Sequence, residues 1–99
     1  MMNSSIAVQV LPLNVDTQKT VAIVDAVIAY IQTTGVSYQV SAFETTLEGD
    51  YDQLMTVVKQ IPLVAAKAGA TADMIYLKIN YQAQGEVLTI AEKTDKYQD

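Results

Sequence analysis

The order of hydrophobic periodicities constrains the fold of this 99-residue chain more than any other feature. Short segments in which apolar residues recur at every second position predict β-strands, and they cover residues 5–11, 37–42, 45–48 and 74–81. Apolar residues at helical spacing mark two longer segments, 16–34 and 50–69. The order β-α-β-β-α-β predicts an α+β, ferredoxin-like sandwich, in which two helices cover one face of a four-stranded antiparallel sheet. We predict one domain over residues 1–99, with a short tail helix within 86–98.

Local signals mark the ends of both long helices. Asp16 or Thr17 can cap the first helix, and Gly35 supplies its stop. The second helix opens at Asp50, and Gly69 lies where a helix cap is expected. Pro62 removes a backbone hydrogen bond inside this helix, so a kink or a break is predicted near residues 58–61.

The first long helix carries an unusually broad apolar surface. One stripe along it consists of Val21, Val24, Ile28 and Ile31. Further apolar side chains widen this stripe beyond what one small sheet normally covers. The helix therefore offers apolar area for another contact.

The predicted plan leaves the second face of the sheet uncovered. That face mixes small, aromatic and polar side chains, namely Ala7, Gln9, Leu11, Ser41, Tyr76, Lys78 and Asn80. Uncovered apolar area of this kind marks an interface or a ligand surface. Together with the broad first helix, it predicts a homo-oligomer, a dimer or a tetramer. The alternative is a monomer with an unusually apolar surface.

The residues that are missing exclude several classes of protein. The chain has no His or Cys, so it cannot build the usual zinc site, a Cys nucleophile or a Ser-His-Asp triad. All six basic residues are lysines, and the net charge is −5. Nucleic-acid binding normally needs a basic patch, so no nucleic-acid partner is expected. The expected partner is a neutral or cationic small molecule.

Targeting and membrane signals are weak in this sequence. The first residues lack the basic region of a signal peptide. The longest nearly apolar run, residues 21–31, contains Asp25 and is shorter than the ~20 residues of a membrane span. The sequence therefore predicts a cytoplasmic protein without a membrane partner.

Acidic residues concentrate at Glu44, Glu48, Asp50 and Asp52. Asp50 and Asp52 suit the first turn of a helix, whose dipole favours negative charge. Glu48 is either a solvated strand end or the partner of a cation or amine. A proton-transfer enzyme that uses Glu48 or Glu44 is an alternative, but general acid–base work needs a shared cleft that a sequence cannot show. The run lacks the ligand spacing of a calcium loop, and no metal or cofactor is predicted.

Three segments, at matching spacing, suggest a family. The chain has Val-Leu-Pro-Leu at 10–13, Thr-Thr-Leu-Glu-Gly at 45–49 and Leu-Lys-Ile-Asn at 77–80. In this order it resembles the small ferredoxin-like thiamine-binding family over nearly its whole length. The chain departs from that pattern in two places: Glu44 replaces a glycine, and the segment Asn-Tyr-Gln at 80–82 replaces Asp-Asp-Arg.

The resemblance implies a non-catalytic protein that binds thiamine or its hydroxymethylpyrimidine moiety and assembles through its sheets. Thr45 and Glu48 match the family motif and are carried over as ligand-binding residues. Gln9, Ser41 and Tyr76 are further candidates, because of their strand positions. Hydroxyl and amide groups suit an aminopyrimidine, and a carboxylate with an aromatic face suits a thiazolium cation. The alternative function is an interaction module of the same fold that only oligomerises.

Overall fold

The computed structural model describes residues 1–98, and the elements alternate in the predicted order. The strands are β1 (Ser4–Pro12), β2 (Ser37–Val40), β3 (Thr45–Gly49) and β4 (Asp73–Tyr81). The helices are α1 (Thr17–Thr33), α2 (Tyr51–Lys67) and α3 (Ile90–Thr94), followed by a 3₁₀ turn at Asp95–Tyr97. The second strand ends at Val40, two residues before the predicted end.

All four strands form one antiparallel sheet in the order β2-β3-β1-β4. β1 therefore lies in the centre, and it pairs with β4 over its whole length, from Ser4 opposite Tyr81 to Pro12 opposite Asp73. This topology is the predicted ferredoxin-like α+β fold, and the short C-terminal helix is also confirmed.

One face of the sheet carries the hydrophobic core. Ile6 and Leu47 lie directly opposite each other and are fully buried. Side chains alternate between the two faces of a strand, so the neighbours of Ile6 and Leu47 along their own strands point to the other side of the sheet. The core side chains of the helices are Ile23, Val27, Ile31, Leu54, Val57, Val58, Ile61 and Ala65. We call the opposite side, which carries Ala7, Gln9, Tyr76 and Lys78, the open face.

The caps of α1 are as predicted, but its buried face is narrower than the sequence suggested. The side chain of Asp16 accepts a hydrogen bond from the Lys19 N–H, and Gly35 has a positive φ of 79° beyond the C-cap. Val21 was expected in the buried stripe, yet it is 53% exposed. The core takes Ile23 and Val27, so the face that α1 turns to the sheet lies one residue earlier than the stripe positions Val24 and Ile28.

Of the kink or break predicted near residues 58–61, the break does not occur, because α2 continues without interruption from Tyr51 to Lys67. Pro62 lies on the exposed face of the helix, whereas its neighbour Ile61 and the next-turn Ala65 are buried. The proline ring thus stays outside the core contacts, and packing of the other face holds the helix together at this point. Among residues 1–98, no helix is long and apolar enough to cross a membrane.

The segment after β4 returns along the start of the chain. The N–H of Gln82 donates to the Asn3 carbonyl, and the N–H of Val87 donates to the Met2 carbonyl. Thr89 and Glu92 then form a reciprocal capping box that starts α3. The segment ends against the open face, so that face is covered at one end.

Candidate functional site

Two clefts flank the sheet. The first, which we call the hairpin cleft, has a volume of about 220 Å³ and lies between α1 and the loop 41–44 that joins β2 to β3. Its apolar wall comes from α1 and contains Val24, Val27, Ile28 and Ile31. It is therefore an apolar slot beside the end of the central strand.

The backbone of β1 contributes to this slot. β1 pairs with β3 only from Ser4 to Val8, whereas it pairs with β4 as far as Pro12. Beyond Val8, the edge of β1 that faces the hairpin has no strand partner, because the loop 41–44 turns away from it. Backbone N–H and C=O groups without a strand partner are available to a ligand.

Three of the residues predicted for binding meet at the hairpin cleft. Gln9, Ser41 and Thr45 all line it. Thr45 begins β3 opposite Val8, and it is only 8% exposed. Ser41 lies in the loop, where its N–H donates to the Glu44 carbonyl at 2.9 Å. Strand alternation points the Gln9 side chain to the open face, so Gln9 reaches the cleft through its backbone. The cleft thus combines an apolar wall with hydroxyl and backbone polar groups.

The mouth of the hairpin cleft carries an aromatic ring and a carboxylate. Phe43 lines the cleft and is 81% exposed. Glu44, the next residue, also lines it, and its carboxylate lies 3.2 Å from the Lys78 ammonium group. Phe43 lies between the second and third predicted strands and was not among the predicted binding residues, although a lone aromatic side chain at that point is a signal for the site.

Glu48 lies elsewhere, on the open face of β3. It is 8% exposed, so it is not a solvated strand end. Its carboxylate accepts hydrogen bonds from the Ser37 hydroxyl, at 2.9 Å, and from the Ile90 N–H. Glu48 therefore attaches the first turn of α3 to the sheet.

Tyr76 lies on the open face of β4, directly opposite Gln9. Its ring is half exposed, and it lines neither cleft. The structure therefore brings Gln9, Ser41 and Thr45 to one place, and it leaves Glu48 and Tyr76 outside that place.

The second cleft, which we call the tail cleft, lies between the open face and α3 and has a volume of about 290 Å³. The sheet contributes Ser5, Thr46, Lys78 and Asn80, and α3 contributes Lys93 and Thr94. No local pattern indicates Lys93 or Thr94, because the covering of the sheet by the tail depends on contacts between distant segments.

Acidic side chains are scarce in both clefts: Glu44 is the only one among their lining residues. Among residues 1–98, no group of three or more acidic side chains is placed to hold a metal ion. Burial raises the pKa of the Asp73 carboxyl, at the start of β4, above its ordinary value. Asp73 lies outside both clefts.

Comparisons with known proteins agree with this fold. A family model described as "Thiamine-binding protein" matches residues 6–98. A UPF0045 protein of Clostridium perfringens is 37% identical over 93 residues, which cover 94% of this chain and 95% of that protein.

Two solved structures are similar over nearly the whole chain. A protein of Streptococcus pneumoniae is 45% identical, with a TM-score of 0.80, covering 95% of this chain and 99% of its own. A candidate thiamine biosynthesis or salvage protein of Thermotoga maritima is 29% identical, with a TM-score of 0.84. The match covers 97% of this chain and 99% of that protein.

Proposed function

This chain belongs to the thiamine-binding protein family, and we propose that it binds thiamine, or its hydroxymethylpyrimidine moiety, in the hairpin cleft. The proposed role is binding without catalysis. One observation carries the assignment to this cleft: Gln9, Ser41 and Thr45, chosen from the sequence as binding residues, line the same apolar slot.

The dimensions of the hairpin cleft support a heterocycle as the buried part of the ligand. Its volume of about 220 Å³ is below the roughly 300–1,000 Å³ that is typical of pockets for drug-sized ligands. It suits one ring, which we take to be the aminopyrimidine. The Thr45 and Ser41 hydroxyls, together with the β1 backbone beyond Val8, offer both donors and acceptors for its ring nitrogens and amino group.

The mouth of the cleft supports a cationic second ring. Phe43 offers an aromatic face and Glu44 a carboxylate, and both features favour a thiazolium cation. No lysine lines the hairpin cleft, and the Lys78 ammonium group near its mouth is already paired with Glu44, so a diphosphate would find no unpaired cation there. We therefore expect thiamine to bind more tightly than its diphosphate.

Isothermal titration tests this function directly. Thiamine and hydroxymethylpyrimidine should bind saturably, and the diphosphate more weakly. Replacement Thr45→Val keeps the shape of this buried residue and removes its hydroxyl, so affinity for both ligands should fall about tenfold, the worth of one hydrogen bond. The matched control is Thr56→Val on the exposed face of α2, which should leave affinity unchanged.

The proposed site fails if Thr45→Val binds like the parent protein while the chain still binds thiamine. The proposed function itself fails if neither thiamine nor hydroxymethylpyrimidine raises the melting temperature in a concentration-dependent way. The second result would favour the alternative function, an interaction module that only assembles subunits.

We further propose that the chain forms a homo-oligomer, a dimer or a tetramer. β4 is an edge strand, and several of its large side chains are exposed: Met74, Tyr76, Leu77, Ile79 and Tyr81. An edge strand with exposed apolar side chains invites pairing with another chain. Native mass measurement should show a multiple of the 10.8 kDa chain, and a monomer at micromolar concentration would contradict the proposal.

We also propose that residues 1–99 form a single domain. It is supported by the one core cluster, which joins residues of β1, β3, α1 and α2. A cytoplasmic location rests on the sequence alone.

A further inference from the structure

The tail cleft has an electrostatic character opposite to that of the whole chain. The chain carries eleven acidic residues and only six lysines. Yet two of those lysines, Lys78 and Lys93, line this cleft, and no carboxylate does. A cleft lined by cations in an acidic protein focuses a positive potential where a ligand can reach it.

The cleft is built by the attachment of α3 to the sheet. The buried Glu48 carboxylate holds the Ile90 N–H, and this contact places the next turn of α3, with Lys93 and Thr94, over the open face. Both hydrogen bonds of Glu48 are made to groups of the chain, from Ser37 and Ile90. The Glu48 carboxylate therefore has hydrogen-bond partners without Lys78 or Lys93.

The lining also supplies polar groups beside the two ammonium groups. Ser5 lies on the sheet side of the cleft and is only 7% exposed. Asn80 lies directly opposite Ser5 on β4. Ala7, on the open face, and Ile90 add apolar area. A ligand here would meet two cations, hydroxyl and amide donors, and an apolar surface.

We propose that the tail cleft is a second binding site, for a small organic anion. The ligand carries one phosphate or carboxylate group, which lies between Lys78 and Lys93, and a compact body that packs on Ala7 and Ile90. Hydrogen bonds between ammonium groups and oxyanions are about twice as strong as neutral ones, so the charged group dominates recognition. This site lies on the other side of the sheet from the α1 wall of the hairpin cleft, and the proposal does not rest on thiamine binding.

The ion pair that Lys78 already makes does not close the site. Its ammonium group lies 3.2 Å from Glu44, but the Lys78 side chain is 75% exposed. Exposed pairs of this kind are weak, so an anion in the cleft can compete for the ammonium group. Lys93 has no carboxylate within ion-pair distance among residues 1–98.

A titration followed by backbone amide NMR of the full chain tests the site. The probes are phenyl phosphate and benzoate, which share an apolar ring and differ in the anionic group, with phenol as the neutral analogue. At least one anion should shift the signals of Thr46, Asn80 and Thr94 saturably, and phenol at the same concentration should not. The two anions together decide whether the site prefers phosphate or carboxylate.

Variants establish that the lysines carry the binding. Lys93→Gln removes one charge from an exposed position and should weaken the preferred anion about tenfold. Lys78→Gln should act in the same direction. Lys59→Gln, on the exposed face of α2, makes the same change of net charge and should have no effect. Thiamine titrated into Lys93→Gln should bind as it does to the parent chain, which separates this site from the hairpin cleft.

Three results would overturn the proposal. The first is equal shifts with phenol and with the anions. The second is an anion affinity that is the same in Lys93→Gln and in Lys59→Gln. The third is that the cleft signals change with protein concentration alone and no longer respond to either anion, which would assign this face to a second copy of the chain.

Discussion

The ammonium nitrogen of Lys78 lies 3.2 Å from Oε2 of Glu44, and this contact joins the borders of the two clefts. Glu44 lines the hairpin cleft, and Lys78 lines the tail cleft. It is the one ion pair among residues 1–98. Each partner therefore lies where the proposed ligand of its own cleft would compete for it.

Replacement Glu44→Gln should move the two binding activities in opposite directions. Thiamine affinity should fall, because the thiazolium cation loses a carboxylate, and binding of the preferred anion should strengthen, because Lys78 is released. The free energy of unfolding should change by less than about 1 kcal/mol, since exposed ion pairs contribute little. Calorimetric titration of both ligands into one variant measures this. A loss of both activities would indicate a structural defect instead.

Replacement Glu48→Ala should loosen the tail. It leaves the Ile90 N–H and the Ser37 hydroxyl without their acceptor, and the loss of such partners costs about 1–3 kcal/mol. Hydrogen exchange at residues 90–94 should accelerate more than exchange in the core strands. Asp25→Ala, on the exposed face of α1, is the control. Unchanged protection of α3 would show that Glu48 does not hold it.

Replacement Asp73→Asn should stabilise the protein at neutral pH and not at low pH. Burial raises the pKa of the Asp73 carboxyl, and its Oδ1 has no hydrogen-bond partner. The folded state therefore holds this proton more tightly than the unfolded state. The resulting stability is complete below the ordinary pKa and is lost as pH rises through the raised one. Urea unfolding of both proteins at pH 3, 5 and 7 should show a difference in the free energy of unfolding that grows as the pH rises. A difference that does not depend on pH would show that the substitution acts through packing instead.

Replacement Gly69→Ala should destabilise the turn after α2 by about 1–3 kcal/mol, the usual cost of such backbone strain. Gly69 has a φ of 112°, which side chains rarely adopt. An added Cβ would also meet the end of the Lys19 side chain. Because that side chain can swing into solvent, Lys19→Ala should not rescue the variant. Thermal unfolding of both single variants and the double variant decides this, and full rescue would assign the loss to the clash.

Much of this fold was predictable because its signals are local. Alternation gave the four strands, and Asp16 and Gly35 marked the ends of α1 correctly. The break predicted from Pro62 does not occur, because a local rule ignores the packing that holds the other face of the helix. Val21 misled for a related reason, since a broad apolar stripe does not say which part of it will face the sheet.

The site was less predictable, because it depends on distant segments. Gln9, Ser41 and Thr45 were chosen one by one, and only the pairing of β1 with β3 brings them to a common cleft. The bond between Glu48 and Ile90 joins residues 42 positions apart. No pattern near either residue signals it, so neither the burial of Glu48 nor the tail cleft could be foreseen.

The central position of β1 has a consequence for synthesis. β1 is made before the other three strands, and it is completed, along nine residues, by β4, which is made after them. Contacts between such distant segments slow folding. Until β4 has emerged, one edge of β1 stays open to pairing with other nascent chains. The growing sheet is therefore most prone to aggregation before β4 appears, and chaperone demand should be greatest in that interval.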